Sequence, residues 1–581
     1  MNQNSKNDIY KKNVELLFEG YWYADLPPIF DIDDFKEVLY DVIIKIADGN
    51  YSDQFSTEEN FIVGFKGMTP PSYIYNEGIE PIIFYDFKKN GALREMQLQN
   101  IKFYCAFVYN TMQAYESLFL QLYSGENVYD KYVRHSNSYL IIEKMFSIRR
   151  DYADYEEEVR AGEFAVSNNK LTGQHTYDEN SIRYLESQGS KLFTTKIDIE
   201  SFFPNIYTHS LTNLSKCHPF IMIRNCEKYF SFLDYYNMKI NNNQTKGIAA
   251  GVFSSTLCAE LLMLSIDFEI KEIIGEEVEY VRYVDDLSFF SDSYEVISTK
   301  IPLVQKLLNK YRLRINNDKT EKHQSIYDIA YVDFRKLRSL YPFFNQDANA
   351  KVFDRDVFFN IKNYIAELIQ AKKISEVKAF LTMLKTSLAD KRLFFDNNSD
   401  ICFEKYLVFY MLQLICVEPL LASRGYKLII EILEQSSNKH FYDEICNTLK
   451  DKCKYINENY SDSLVQIWHY YVISKYDKNS NFSSIKNEFD DADTEINPII
   501  VSAFIKDSHH GNKEVFNYIK QRYTHIENKD GEPGIWKNSI MLSKWWFPIF
   551  LIYIKDGYNY HELYSANFFH SLYKDMKYQV E

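Results

Sequence analysis

Residues Glu276 to Ser291 read EEVEYVRYVDDLSFFS. Two short runs of β-branched and aromatic residues flank Val284-Asp285-Asp286. The stretch therefore predicts two strands folded about an acidic turn. A second run, Lys191 to Asp198 (KLFTTKID), predicts another strand that enters a polar end at Asp198 and Glu200. An unpaired buried charge costs several kcal/mol, so acids at the ends of two buried strands call for a cation. Two Mg²⁺ ions ~3.5–4 Å apart, held by carboxylates on adjacent strands, would relieve the repulsion. Such a pair would also activate an attacking hydroxyl and stabilise a leaving pyrophosphate. An Asp-Asp dipeptide in a hairpin is most often just a solvated turn, so the order of the surrounding pieces has to decide.

Phe203 stands five residues beyond Asp198. Downstream, Lys246-Gly247-Ile248-Ala249-Ala250-Gly251-Val252-Phe253-Ser254-Ser255 opens a predicted helix through Leu257–Met263. Gly247 and Gly251 would let backbone approach a bound substrate closely, and Ser255 suits a helix start. The acidic hairpin follows, and then Leu313-Arg314-Ile315-Asn316-Asn317-Asp318-Lys319-Thr320. Near the N-terminus, Pro81 to Leu98 holds two alternating runs around Asn90-Gly91, which predicts a β-hairpin closed by a type I′ turn.

This ordered set resembles the palm motifs of reverse transcriptases: D-x-x-x-x-F, G-x-x-x-G-x-x-x-S before a helix, Y-x-D-D, and a late N-x-x-K-T. The palm motifs cover residues 191–320. The resemblance implies Asp198, Asp285 and Asp286 as catalytic metal ligands, with the Ile199 carbonyl as a further ligand to two Mg²⁺ (or Mn²⁺) ions. It implies Phe203 as a steric gate against a ribose 2′-hydroxyl, which favours dNTPs. It implies Lys319 as the proton donor to pyrophosphate. Phe203 as a core residue and Lys319 as a solvated lysine are the plainer alternatives. The segment Asn90 to Tyr104, with upstream Leu26-Pro27-Pro28-Ile29-Phe30, is similar to the bacterial abortive-infection (AbiK-like) and related defence reverse transcriptases. That similarity implies a triphosphate contact from Arg94, through the bidentate bonds that Arg makes well. A surface hairpin-edge residue is the alternative there.

The sequence departs from the family in several places. Ala249 and Ala250 stand where many reverse transcriptases carry Pro-Gln, and an Ala side chain cannot help position a templating base. Gln99 replaces a family Pro, and a Glu- and Arg-rich insertion lies within residues 130–180. Members of the abortive-infection family are thought to make DNA without a template, primed by a protein tyrosine. The resemblance therefore implies an antiphage polymerase making single-stranded DNA from dNTPs, with the product attached through a tyrosine. A templated reverse transcriptase copying an associated non-coding RNA is the second reading. A catalytically dead palm acting as a helical scaffold is the third, and the intact acids speak against it.

The rest of the chain fits this frame. Its 581 residues imply several domains, and a net charge of −15 argues against a protein that coats nucleic acid. The charge is uneven: residues 1–90 sum to −8, 301–340 to +5 and 341–581 to −3. Few Gly and Pro (18 and 13) favour helices. From about Asp354, apolar residues such as Phe358, Ile361, Ile365 and Leu368 recur at helical steps, with similar stretches near 374–388, 401–417, 424–435, 441–456 and 462–476. The expected fold is α+β, with fingers and palm over 1–340 and an all-α, HEAT-like repeat domain over 341–581. Lys478 to Asp493 reads as a linker, and Trp545-Trp546-Phe547 as core. The 8 cysteines show no C-x-x-C spacing, so they read as reduced thiols, buried at positions such as Cys258 and Cys416. Without a leader or an apolar run of about 18–20 residues, a cytoplasmic protein with no membrane contact is expected. A homo-oligomer is also expected, since helical repeats build large surfaces.

Overall fold

The computed structural model describes residues 14, 17–18, 20–30, 79–89, 91–114, 118–119, 184–223, 226–328, 334–345, 347, 349–395, 402–435, 439–477, 481–489, 495–505, 512–519, 521–522 and 543–555. The insertion within 130–180 lies outside them, as do Asn90 and the polar break 396–400.

Strands β1 (Ile82–Phe87) and β2 (Leu93–Leu98) pair antiparallel, with Ile82 opposite Leu98 and Phe87 opposite Leu93. The hairpin is as predicted, but its turn is longer than a two-residue type I′ turn. Lys88 N donates to Ala92 O at 2.8 Å, and Gly91 N to Lys88 O at 2.9 Å. Gly91 has φ +78°. A left-handed residue after a four-residue turn is the pattern of a three-residue loop closed by a bulge, and Gly91 supplies the positive φ. Helix α1 (Ile101–Gln113) follows.

The second sheet has the order β4-β5-β3-β6 and is antiparallel throughout. It comprises β3 (Phe193–Ile199), β4 (Glu279–Tyr283), β5 (Asp286–Ser291) and β6 (Ile315–Gln324). Both acidic strands foreseen from sequence are present, and they are neighbours. Helices α2 (Glu227–Ile240), α3 (Phe253–Ile274) and α4 (Tyr294–Lys310) accompany the sheet. Helix α3 is apolar over most of its circumference, burying Leu257, Leu261, Leu264, Ile266 and Ile270, as befits a helix enclosed by core. Ser293 caps α4 by accepting from Val296 N at 3.4 Å.

Beyond this sheet the described residues are almost entirely helical. The elements are α5 (Arg355–Gln370), α6 (Ile374–Ala389), α7 (Phe403–Val417), α8 (Ala422–Gln435), α9 (Lys439–Asn459), α10 (Leu464–Tyr476), α11 (Pro498–Ala503) and α12 (Trp546–Lys555). Each helical stretch read between 354 and 476 has its helix. The expected linker is partly structured: Phe482–Lys486 forms a short helix with a capping box from Asn481 and Ser484. Trp545, Trp546 and Phe547 are buried, as expected of core. Cys258 is fully buried, whereas Cys416 is half-buried.

These helices clasp the first hairpin. Tyr85 N donates to Asp462 O at 2.8 Å and Asn497 Nδ2 to Ile83 O at 2.9 Å, so β1 finds partners there along its second edge. The loop at 20–30 is held from the same side. Trp468 Nε1 donates to Asp25 O at 2.6 Å, Ser423 Oγ to Asp25 Oδ1 at 2.9 Å, and Lys427 Nζ to Ala24 O at 3.0 Å.

Candidate active site

Pairing of β3 with β5 sets Asp198 directly opposite Asp286, and Asp198 also faces Asn316 on β6. Ile199 N donates to Asp285 O at 3.1 Å, which ties the two acidic strand ends together through their backbones. The turn before Asp285 is unusual, because Val284 has φ +53°. A β-branched residue there is strained, since its Cβ crowds the backbone.

Asp198 raises the proton affinity of both Asp285 and Asp286. The Asp285 carboxyl is pushed up to about 6, by burial first and then by Asp286 and Asp198, with Lys319 opposing. The Asp286 carboxyl also rises, although its side chain reaches solvent. Its low-dielectric surroundings act first and Asp198 next, against Lys319, Lys196 and Lys89. Lys319 Nζ meets Asp198 Oδ1 at 2.8 Å. The late lysine singled out from sequence therefore reaches the acids from β6. Its ammonium is the positive charge that Asp198 pairs with.

Three carboxylates and the Ile199 carbonyl offer hard oxygen donors suited to Mg²⁺. Among the described residues, no group of three or more His, Cys, Asp or Glu stands ready to hold a metal ion. With Lys319 on Asp198, the donor set has the right chemistry and is drawn toward a lysine. A divalent ion held by all three acids would compete with Lys319 at Asp198 Oδ1.

The remaining predicted residues surround this edge. Phe203 is half-buried on a short helix, Phe202–Asn205, stacked edge-on against Phe202 with ring centroids 5.4 Å apart. Its carbonyl accepts from Ile248 N at 3.1 Å, which joins it to the glycine loop. Gly247 is buried and donates to Ile206 O at 2.9 Å, and a Cβ there would stand 3.4 Å from Pro204 O. Gly251 has φ +89°, and a Cβ there would fall 2.2 Å from Met96 Cε and 3.2 Å from the Tyr23 ring. In this arrangement both glycines admit protein neighbours: Gly247 the Phe203 helix, and Gly251 the first hairpin. Arg94 is exposed on β2 opposite Asp86, with no hydrogen-bond or ion-pair partner among the described residues.

Three contributors were not foreseen. Lys89, near the hairpin tip, lowers the Asp286 carboxyl through its charge. Gln99 is buried where its Oε1 accepts from Tyr236 Oη at 2.7 Å and Ser254 Oγ at 2.8 Å, which couples β2 to α2 and α3. Arg282 is wholly buried on β4 between Asp267 and Glu260. A lone arginine in an apolar strand was a signal for it, as were two acids seven residues apart on one helix face.

Residues 157–336 match the family model described as reverse transcriptase (RNA-dependent DNA polymerase). A reverse-transcriptase domain is thus present, and it indicates a nucleotidyltransferase of the reverse-transcriptase-like polymerase kind. It contains Asp198, Phe203, Gly247, Gly251, Asp285, Asp286 and Lys319, but not Arg94. Domains of this kind generally use divalent metals such as Mg²⁺. Solved structures similar to this chain include telomerase from Candida albicans in complex with a telomeric RNA fragment, at 12% identity and TM-score 0.26, covering 66% of this chain and 63% of that one. Apo telomerase from Candida tropicalis matches at 13% identity and TM-score 0.28, covering 76% and 73%. With TM-scores this low, neither likeness carries an argument. No curated protein matches the sequence. Among the described residues, no helix is long and apolar enough to cross a membrane.

Proposed function

We propose that this chain is a DNA polymerase of reverse-transcriptase type that joins dNTPs by two-metal nucleotidyl transfer. The observation that carries this is the register placing Asp198 opposite Asp286, with Asp285 beside them, inside the segment matching reverse transcriptases. When bound, divalent ions would supply charge to activate the attacking hydroxyl and the leaving pyrophosphate. Asp198, Asp285, Asp286 and the Ile199 carbonyl would hold them. Lys319, released from Asp198, would donate a proton to pyrophosphate, and its contact with Asp198 supports that placement. Phe203 would exclude the ribose 2′-hydroxyl, while Arg94 and the loop at Gly247 and Gly251 would frame the triphosphate.

The finer proposal is antiphage defence by untemplated, protein-primed synthesis, in the manner of the abortive-infection enzymes. Its support is the resemblance in the 90–104 segment, together with Ala249 and Ala250. The first is buried and the second half-buried, and neither side chain can hydrogen-bond a templating base. The helices from α5 onward would form the HEAT-like half of such an enzyme, domains would divide near residue 340, and the protein would act in the cytoplasm as a homo-oligomer. Copying of an associated RNA is the second proposal, favoured by the match to RNA-dependent DNA polymerases.

Purified full-length protein is incubated with Mg²⁺ and dNTPs alone, and the product is sequenced after protease treatment. Protein-linked DNA of no fixed sequence supports untemplated synthesis. Defined, repetitive cDNA with co-purifying RNA supports copying. No incorporation by protein purified together with its bound nucleic acid sinks both.

A further inference from the structure

We infer that Arg282 is a positioning residue that fixes the Asp285 peptide by anchoring the strained carbonyl of Val284. The inference rests on the polymerase proposal, in which Asp285 is a metal ligand. Arg282 lies on β4, two residues before Val284, and its side chain is fully buried. Its planar fork meets two acids from one face of α3. Nε donates to Asp267 Oδ1 at 3.0 Å, and Nη2 to Asp267 Oδ2 at 2.8 Å. Nη2 also donates to Glu260 Oε1, and Nη1 to Glu260 Oε2, each at 2.9 Å. Tyr280 Oη donates to Asp267 Oδ1 at 2.9 Å. These bonds alone would satisfy a structural ion pair between helix and strand.

One further bond goes elsewhere. Nη1 donates to Val284 O at 3.1 Å. That carbonyl belongs to the peptide joining Val284 to Asp285, so the bond sets the plane of the peptide entering Asp285. The Asp285 carbonyl is held in turn by Ile199 N at 3.1 Å. Asp285 is therefore fixed from both sides, by α3 through Arg282 and by β3 through Ile199. Among the described residues, Val284 is the only β-branched residue with positive φ. Such a conformation persists only where its surroundings over-determine it. A buried guanidinium locked between two carboxylates cannot drift, so it is a rigid donor for this purpose.

Arg282→Met alone would leave Asp267 buried without its cation and could unfold the chain. Two variants avoid this. The triple variant Arg282→Met, Glu260→Gln, Asp267→Asn removes the whole charge set. Arg282→Lys keeps the positive charge but lacks a fork that spans both acids and the carbonyl. Full-length wild type, both variants and an Asp285→Asn control are compared by thermal melting in EDTA, by Mn²⁺ titration, and by dNTP incorporation at saturating Mn²⁺. The expected result is a variant that melts near wild type yet binds Mn²⁺ at least tenfold more weakly, with incorporation partly restored at high Mn²⁺. A folded variant with wild-type Mn²⁺ affinity, in either design, overturns the inference and leaves Arg282 as scaffold only. A wild-type chain that binds Mn²⁺ but incorporates no dNTP overturns the polymerase proposal instead, and the Mn²⁺ comparison still decides the role of Arg282.

Discussion

Replacing Asp285 by Asn should stabilise the metal-free protein at neutral pH while abolishing synthesis. The carboxyl titrates at about 6 in the folded chain against a reference of 3.8, because burial, Asp286 and Asp198 disfavour its charge. A folded pKa above the unfolded one means that the folded state holds the proton more tightly. Stability from this group is full below about 4 and is lost as pH rises through 6. Each unit corresponds to ~1.4 kcal/mol, so two units amount to ~3 kcal/mol at pH 8. Solvent at the partly open acid edge reduces this to roughly 1–2 kcal/mol. Asn keeps the shape and removes the charge, so Asp285→Asn should recover that amount at pH 8 in EDTA and only about a third of it at pH 4.5. Added Mg²⁺ should reverse the order, stabilising wild type and leaving the variant unchanged. The assay is thermal unfolding of both proteins at the two pH values, with and without Mg²⁺. Equal or lower stability of the variant at pH 8 in EDTA would refute the charge-repulsion argument. An equal Mg²⁺ response of the two proteins would refute metal binding at Asp285.

Lys319→Met removes a pair whose lysine is largely exposed, so stability should change by at most ~1 kcal/mol. Incorporation should fall by roughly 10²-fold or more if Lys319 donates a proton, with Mg²⁺ half-saturation unchanged or tighter; a weaker Mg²⁺ response with normal turnover would contradict this. Phe203→Ala should lower discrimination between dNTP and rNTP on the order of tenfold or more, read as the ratio of kcat/KM values; an unchanged ratio would mean that Phe203 serves only its packing against Phe202. Gly251→Ala places a methyl 2.2 Å from Met96 Cε at φ +89°. It should cost about 1–3 kcal/mol and raise KM for dNTP by shifting the hairpin, as thermal melting and initial rates would show.

The strands at 191–198 and 276–291 were legible because apolar alternation running into acid is a local signal. The helices from 355 to 476 were legible because their period persists over four turns. The hairpin was legible too, but its turn length was not. Asn-Gly fits both a two-residue turn and a longer bulged one, and hydrogen bonding across Lys88–Ala92 chooses between them. At Gly247 and Gly251 the structure adds close protein neighbours to the substrate approach read from sequence, since a missing Cβ admits either.

By itself the sequence singled out Asp198, Asp285, Asp286 and Lys319 as candidates for the chemistry, through an order and spacing that resembles a polymerase palm. Only the tertiary structure decided what neutralises what. Strand register sets Asp198 against Asp286, β6 carries Lys319 onto Asp198, and α3 holds Arg282 beneath the turn. The physical reason is that charge interactions depend on distance and burial in space. Partners 121 residues apart in the chain, like Lys319 and Asp198, leave no periodic trace in sequence.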